Sequence, residues 1–321
     1  MGTFFHALSA VFIIFCLMAV GYVLGVFGWM TESEKRFISR YILNIGVPMN
    51  TMIGLLNNIK REELTRLGGH LIVPILTISV LLVISLLAGR LLKLPRKQFG
   101  VFVSLAFISN TLFIGLPMGL QLFGEVAVPY IMLYYLVSTV FTQTVALLLI
   151  EHAGKEEGKE DPGQSAAGRI AALLKDVAKK PPIISLVLCI VFLIVGFRPP
   201  DMVMTFAKYL SDIVTPLALM YCGFIVYEMG LKNIRLMKGI PTLLVIRLLI
   251  APLICVGFCL LFHVEGLARN VFIIEAGLPS FTQSTVWAGA FGADERFATV
   301  GATLTMLGIF LTVPVMMVLL T

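Results

Sequence analysis

Long apolar stretches alternate with short polar clusters along the whole chain. Each stretch has about 20 residues, the length that crosses the hydrocarbon core of a bilayer as a helix. Ten stretches lie between the charged clusters, and we expect each one to be a transmembrane helix. They cover residues 4–29, 37–57, 69–92, 98–121, 127–150, 181–197, 204–227, 240–262, 270–291 and 298–320.

The fourth and the ninth stretches carry the same helix-breaking tripeptide. Gly115-Leu116-Pro117 lies in the fourth, and Gly277-Leu278-Pro279 lies in the ninth. Glycine and proline leave backbone groups unpaired, and hydrocarbon has no water to satisfy them, so such a break needs shelter from protein or from a cavity. Broken helices in corresponding places of two halves indicate the binding site of a transporter.

Proline positions indicate an internal duplication. Pro48 recurs as Pro216 after 168 residues, and Pro117 recurs as Pro279 after 162 residues. Because five spans is an odd number, the second copy must insert in the opposite orientation. We therefore predict an all-α membrane protein with ten transmembrane helices, arranged as two inverted five-helix repeats with broken crossover helices 4 and 9.

One polar stretch divides the two predicted repeats. The first repeat covers residues 1–152, the second covers residues 181–321, and residues 153–180 form a charged linker that we place in the cytoplasm. Apolar residues at helical spacing in this linker predict an amphipathic helix on the membrane surface. They are Ile170, Leu173, Leu174 and Val177.

Composition agrees with a membrane protein, and the basic residues predict its orientation. The chain is 59% hydrophobic and 13% charged, more apolar than ordinary soluble domains. Of its 24 lysines and arginines, 17 fall on one side of the predicted membrane and six on the other, while Arg247 lies within a span. This bias predicts that both termini are extracytoplasmic, in a multi-pass protein of a bacterial plasma membrane. The basic residues form no single patch, so we expect the lipid bilayer as a partner and no nucleic acid.

Polar side chains flank both predicted breaks. Unwound carbonyl groups can bind cations and half-helix N-termini can bind anions, so two breaks that meet at the membrane centre can form a substrate site. Alternatively, the polar residues only repair hydrogen bonds at two kinks. The repeat-related positions favour a site. The predicted substrate-binding residues are Asn110, Thr111, Gly115, Pro117, Pro279, Thr282, Gln283, Ser284, Asn44 and Arg247.

Away from the span ends, three formal charges remain within the predicted spans, namely Asp212, Arg247 and Glu275. Each costs roughly 2.5 to 3.5 kcal/mol on insertion scales, so an intramembrane charge indicates function. Arg247 either contacts the substrate or forms a structural ion pair with Glu275 or Asp212. Glu275 and Asp212 are candidates for proton coupling, and oxygen ligands near the breaks leave sodium coupling open as well.

Other polar residues are weaker candidates for the same cavity, because such residues more often join helices by hydrogen bonds. They are Asn50, Tyr134, Thr139, Thr142 and Gln143. The five cysteines lie in apolar stretches without the spacing of a metal site, so we expect no metal. No nucleophile, base and orienting group occur together, so we expect neither a cofactor nor an enzyme.

Four short motifs resemble those of the auxin efflux carrier family. They are Asn110 through Pro117, Phe123-Gly124-Glu125, Leu278-Pro279, and Phe291-Gly292-Ala293-Asp294. The resemblance implies a scaffold domain and a transport domain in each protomer, an inverted-repeat fold like that of bile acid/sodium symporters, elevator-like or rocking motion, and a homodimer. The short middle linker favours the bacterial members, which carry malonate and related carboxylates.

We therefore predict a secondary active transporter that moves a small organic anion, such as a carboxylate, by alternating access. The alternative is a membrane sensor that binds its ligand at the same crossover without net transport. An ATP-driven pump is disfavoured because the chain has no GxxxxGK[ST] loop.

Overall fold

The computed structural model describes residues 2–59, 62, 68–155, 179–230 and 236–320, and most of these residues are helical. The α-helices are α1 (Gly2–Val26), α2 (Glu32–Tyr41), α3 (Val47–Asn58), α4 (Ile72–Leu91), α5 (Arg96–Phe107), α6 (Leu116–Phe123), α7 (Val128–Phe141), α8 (Leu147–Gly154), α9 (Pro181–Val195), α10 (Asp201–Asp212), α11 (Val214–Met229), α12 (Ile240–Val245), α13 (Ala251–Leu261), α14 (Gly266–Gly277), α15 (Gln283–Phe291) and α16 (Glu295–Leu320). The predicted amphipathic helix of the linker lies outside the described residues.

Single π-helical turns join pairs of these helices into longer rods at Ile42–Gly46, Thr142–Ala146 and Ile246–Ile250. A fourth π-helical turn, Thr111–Gly115, follows unwound residues and continues into α6. Short 3₁₀ turns at Gly68–Leu71 and Glu125–Ala127 precede α4 and α7. A π-helical turn inserts an extra residue, changes which side chains share a face, and is frequent at functional sites.

Within the described ranges, four helical rods are each long and apolar enough to cross a membrane. They are Gly68–Leu91, Val128–Gly154, Asp201–Glu228 and Ile240–Leu261. The bent pair Glu295–Ile309 and Leu311–Met317 makes a fifth if it is one span. The all-helical prediction is thus confirmed for the described residues, which form no strand beyond one isolated bridge.

The same tight turn precedes both broken segments. Lys93 and His263, 170 residues apart, have φ angles of 48° and 52° and are the non-glycine residues with positive φ in the described chain. Each turn leads into a half-helix of 12 residues, α5 or α14. Further on, α6 and α15 both end at a glycine, Gly124 or Gly292, with φ of 76° or 77°. Left-handed backbone is uncommon outside glycine, so its occurrence at both turn residues is a specific similarity between the two segments.

Two helix pairs join early and late segments of the chain. α1 packs against α11, and α9 packs against α3. The α1–α11 contact is close because glycines face backbone across it. A Cβ on Gly21 would come within 2.6 Å of the Met220 carbonyl carbon, and a Cβ on Gly223 within 2.7 Å of that of Met18. Small residues of this kind allow close approach of helices in membranes.

A charged cluster around Lys35 ties several helices together at one end of the bundle. The Lys35 ammonium lies 2.9 Å from Glu32, 3.1 Å from Glu228 and 3.0 Å from Glu295. The Tyr221 hydroxyl donates to Glu295 at 2.9 Å. Burial alone would lower the pKa of Lys35, but its bonds to the three carboxylates hold that pKa above the usual value. The cluster therefore joins the starts of α2 and α16 to α11.

Candidate functional site

The two broken helices cross at their unwound residues. An antiparallel bridge pairs Ser109, just after α5, with Ser280, just after α14. Beside it, the Asn110 N–H donates to the Pro279 carbonyl oxygen at 2.8 Å. This pairing satisfies part of the backbone that the two breaks leave open. In the second half the unwound residues are 278–282, at the predicted Gly277-Leu278-Pro279. In the first half they are 108–110, and the break predicted at Gly115-Leu116-Pro117 is wrong because that tripeptide is helical.

A cavity of about 50 Å³ lies beside the crossing. Its wall is mostly hydroxyl and amide side chains, and none of the lining residues carries a formal charge. The lining residues are Val47, Asn50, Ser109, Asn110, Thr111, Leu112, Tyr135, Ser138, Thr139, Thr142, Gln143, Phe281, Thr282 and Gln283. At about 10 to 15 Å³ for each water molecule, the cavity holds a few waters or one small polar group.

Two helix N-termini begin in the wall of this cavity. The π-helical turn that continues into α6 begins at Thr111, and α15 begins at Gln283. Their N-cap residues, Asn110 and Thr282, make no side-chain capping hydrogen bond. The first amides of a helix lack intrahelical partners and carry partial positive charge. We call this side, formed by Asn110, Thr111, Thr282 and Gln283, the cavity face.

The opposite wall comes from α3, from α7 and from the π-helical turn Thr142–Ala146. The Gln143 amide nitrogen donates to the Thr51 hydroxyl. The Gln143 Oε1 atom is buried and has no hydrogen-bond partner among the described residues. Ser211 donates to Asn50 Oδ1 at 3.0 Å. These two amides give the cavity fixed polar groups across from the half-helix N-termini.

The C-terminal ends of α5 and α14 meet a different group, the Arg247 guanidinium. Its Nη1 donates to the Ala106 carbonyl at 3.2 Å, and its Nη2 donates to the Ala276 carbonyl. Arg247 is fully buried and does not line the cavity. We call Arg247 with the Ala106 and Ala276 carbonyls the arginine face. Arg247 thus lies outside the cavity lining, and its contact with a substrate stays a prediction.

The predicted ion pair of Arg247 with Glu275 or Asp212 is wrong for the described residues. Arg247 bonds to backbone carbonyls, whereas Asp212 pairs with Lys208 at 2.5 Å and is about half exposed. Glu275 is fully buried, and neither carboxyl oxygen has a hydrogen-bond partner in the described structure. A carboxyl group in that position is costly when ionised.

Glycine at position 115 makes room for the Glu275 carboxyl group. A Cβ on Gly115 would lie 2.6 Å from Glu275 Oε1 and 2.7 Å from Leu278 Cδ1. Both distances are shorter than real Cβ contacts allow. The role of Gly115 is thus close packing between the two broken segments, and the cavity lining does not include it.

The structure divides the predicted site residues into three groups. Those of the cavity face line the cavity. Others support the crossing: the Pro279 carbonyl accepts from Asn110, Pro117 lies in the first turn of α6, and the Ser284 hydroxyl donates to the Phe281 carbonyl at 2.7 Å. The third group lies elsewhere. Asn44 is exposed and donates to the Arg40 carbonyl at 2.8 Å, and Asp212 is about half exposed.

A polar stripe along the fifth predicted span supplies cavity residues that the sequence reasoning missed or ranked low. Tyr135, Ser138, Thr139 and Thr142 all line the cavity. Their spacing of three, four and seven residues is that of one helix face, and this regular spacing on an otherwise apolar helix was the available signal. Tyr134, the candidate that we named instead of Tyr135, packs on Phe272 with ring centroids 6.2 Å apart.

Buried polar atoms also repair the crossing. The Ser280 hydroxyl donates to the Leu105 carbonyl at 2.7 Å, and the Ser280 N–H donates to the Thr305 hydroxyl at 3.1 Å. The alternative that polar residues mend two kinks is therefore correct for Ser280. It does not account for the cavity face, whose side chains make no capping bonds.

Comparison with known proteins identifies the family of this chain. The profile of the family described as membrane transport protein matches residues 6–317. An uncharacterized transporter of Methanocaldococcus jannaschii is 25% identical over 293 residues, which cover 90% of this chain and 91% of that protein. A second uncharacterized transporter, from Methanothermobacter thermautotrophicus, is 23% identical over 294 residues, which cover 89% of each chain. This chain therefore belongs to the membrane transport protein family, the auxin efflux carrier family that its sequence resembles.

Proposed function

We propose that this membrane transporter is a secondary carrier of a small organic anion, such as a carboxylate, and that the anion binds at the cavity face. The observation that carries the proposal is the pair of uncapped helix N-termini, at Thr111 and Gln283, in the wall of one uncharged polar cavity. Helix N-termini favour anions because unpaired amides and the helix dipole act together.

The chemistry of the lining limits the ligand. The hydroxyl and amide N–H groups of the lining can donate hydrogen bonds to a carboxylate. The unpaired Gln143 Oε1 can accept a hydrogen bond from a carboxylic acid or a hydroxyl group. With no lysine or arginine in the lining, binding relies on neutral donors, so the anion can leave again. A volume of about 50 Å³ fits one such head group, and a larger substrate requires the cavity to open.

We also propose ten membrane crossings, arranged as two inverted five-helix repeats. The recurrent turns at Lys93 and His263 and the exchanged packing of α1 on α11 and α9 on α3 support a pseudo-twofold arrangement. An odd number of crossings in each half inverts the second half, which is the arrangement that permits alternating access around a fixed central site. Both termini would then be extracytoplasmic, as the basic residues predict.

Uptake of labelled mono- and dicarboxylates into proteoliposomes tests the transport proposal. We expect saturable uptake of at least one carboxylate, competition by close analogues, and no uptake in liposomes without protein. Carboxylates that raise the melting temperature of the purified protein without any flux would instead identify a sensor. If no carboxylate is transported or stabilises the protein, the proposed anion site is wrong.

A further inference from the structure

Arg247 holds a position in which broken-helix carriers commonly place an exchangeable cation. The C-terminal carbonyls of half-helices carry partial negative charge, and in such carriers they coordinate sodium or protons. Here the Arg247 guanidinium reaches one carbonyl at the end of each half-helix, that of Ala106 in α5 and that of Ala276 in α14. A single side chain thus serves both broken segments.

No carboxylate competes for this guanidinium in the described residues, where Arg247 has no ion pair within 4.0 Å. A fully buried charge at membrane depth is costly unless another group stabilises it. Two helix C-termini supply that stabilisation, because the dipoles of both helices favour a cation at this point. A planar guanidinium can donate to two carbonyls at once, whereas an ammonium is a point charge without this fixed fork.

In the part of the chain that the structure describes, the charge at this point comes from the second half. Arg247 lies 16 residues before the turn residue His263, and the residue 16 positions before Lys93 is Thr77. Thr77 is fully buried and uncharged. One arginine side chain therefore supplies the cation for both helix ends.

We propose that Arg247 is a resident cation that joins the C-terminal ends of the two half-helices, in the place of an exchangeable ion. It is a positioning residue: it fixes the crossing so that the two N-termini on the cavity face stay together. The transport readout of this inference depends on the proposed function, but its stability readout does not.

The test measures melting temperature of purified protein in sodium chloride and in choline chloride at equal ionic strength. Wild-type protein and the control Thr77→Ala should melt at the same temperature in both salts. Arg247→Ala should melt lower, and guanidinium at concentrations far below those that denature should restore part of the loss specifically in this variant. Arg247→Lys should lie between wild type and Arg247→Ala.

Flux in proteoliposomes gives the second readout. Arg247→Ala should lower carboxylate uptake by about tenfold or more, the scale of losing hydrogen bonds made by a charged group, and guanidinium should restore part of it. Unchanged melting and flux in Arg247→Ala overturn the proposal, and so does a guanidinium effect equal in Thr77→Ala.

Measurements on the wild-type protein test the proposal even if Arg247→Ala does not fold. A sodium-dependent melting temperature or a sodium requirement for wild-type flux overturns it, because an exchangeable cation would then be needed. Absence of all carboxylate flux from wild type contradicts the proposed function alone, and the melting experiment still decides the role of Arg247.

Discussion

The cavity face and the arginine face of the crossing have opposite chemistry although both are made of half-helix ends. On the arginine face, two C-termini bond to a guanidinium that belongs to the protein. On the cavity face, two N-termini have no side-chain cap and begin in the wall of a small polar cavity. Both pairs of ends need a partner of opposite charge. Under our two proposals, the chain itself supplies the permanent cation and leaves the anion position to an exchangeable ligand.

The largest expected effect comes from closing the space between the two broken segments. Gly115→Val places methyl groups against the Glu275 carboxyl group and Leu278, so we expect a loss of about 3 kcal/mol in stability, the upper end for overpacking, and loss of flux. Thermal unfolding and proteoliposome uptake measure both effects. Gly257→Val is the matched control, because Gly257 is exposed and a Cβ there meets nothing within 4 Å.

A double mutant sharpens that prediction. If the clash with the Glu275 side chain is the cause, Gly115→Ala should cost less stability in a Glu275→Ala background than in the wild-type background. Equal losses in the two backgrounds would show that Glu275 is not the group that requires glycine at position 115.

The next effect concerns stability on the supporting side of the crossing. Ser280→Ala removes the hydroxyl that donates to the Leu105 carbonyl and leaves that buried carbonyl short of a donor. We expect a loss of about 1 to 3 kcal/mol, measured as a lower melting temperature, with substrate affinity unchanged in the folded fraction. A changed substrate affinity with an unchanged melting temperature would instead show that Ser280 takes part in ligand binding.

Asn110→Ala should show the reverse pattern. The bond from position 110 to Pro279 uses the backbone N–H, which alanine keeps, while the side chain that lines the cavity is lost. We expect a tenfold weaker substrate affinity, about 1.4 kcal/mol, and little change in melting temperature. Asn44→Ala is the control, because Asn44 is exposed and bonds to its own helix. Equal transport defects in both variants would contradict the assignment of the cavity face.

The smallest effect is expected at Asp212. Its pair with Lys208 is exposed, and such surface pairs contribute at most about 1 kcal/mol. Asp212→Asn should therefore leave flux and its dependence on pH as in wild type. A flux that loses its pH dependence in this variant would return Asp212 to the candidates for proton coupling.

The crossing itself could be predicted from the sequence because helix breakers in long apolar stretches have few explanations. The Gly-Leu-Pro of the ninth stretch located the second break, and the polar residues near the two tripeptides included the cavity face. The first break lies at residues 108–110, before the helical Gly115-Leu116-Pro117. The bridge between Ser109 and Ser280 then follows from two unwound segments that meet. These features depend on local chemistry that the chain displays directly.

Side-chain partners across the fold could not be predicted in this way. A buried arginine shows a need for negative charge, but the sequence does not tell whether carboxylates or helix-end carbonyls supply it, and here they are the carbonyls of Ala106 and Ala276. Asn44 and Asn50 are six residues apart, so they point to different sides of a helix, and only Asn50 lines the cavity. Asn44 lies in the π-helical turn Ile42–Gly46, which further changes the side of the helix on which this residue lies.

The most direct measurement of the central claim is substrate protection of a cysteine placed in the cavity. Ser138→Cys, in a Cys16→Ser background that removes the exposed native thiol, puts a thiol in the lining, while the other four native cysteines are buried. We predict that a transported carboxylate slows thiol labelling in proportion to site occupancy, about tenfold at ten times its dissociation constant. Labelling at an unchanged rate under saturating substrate would contradict anion binding at the cavity face.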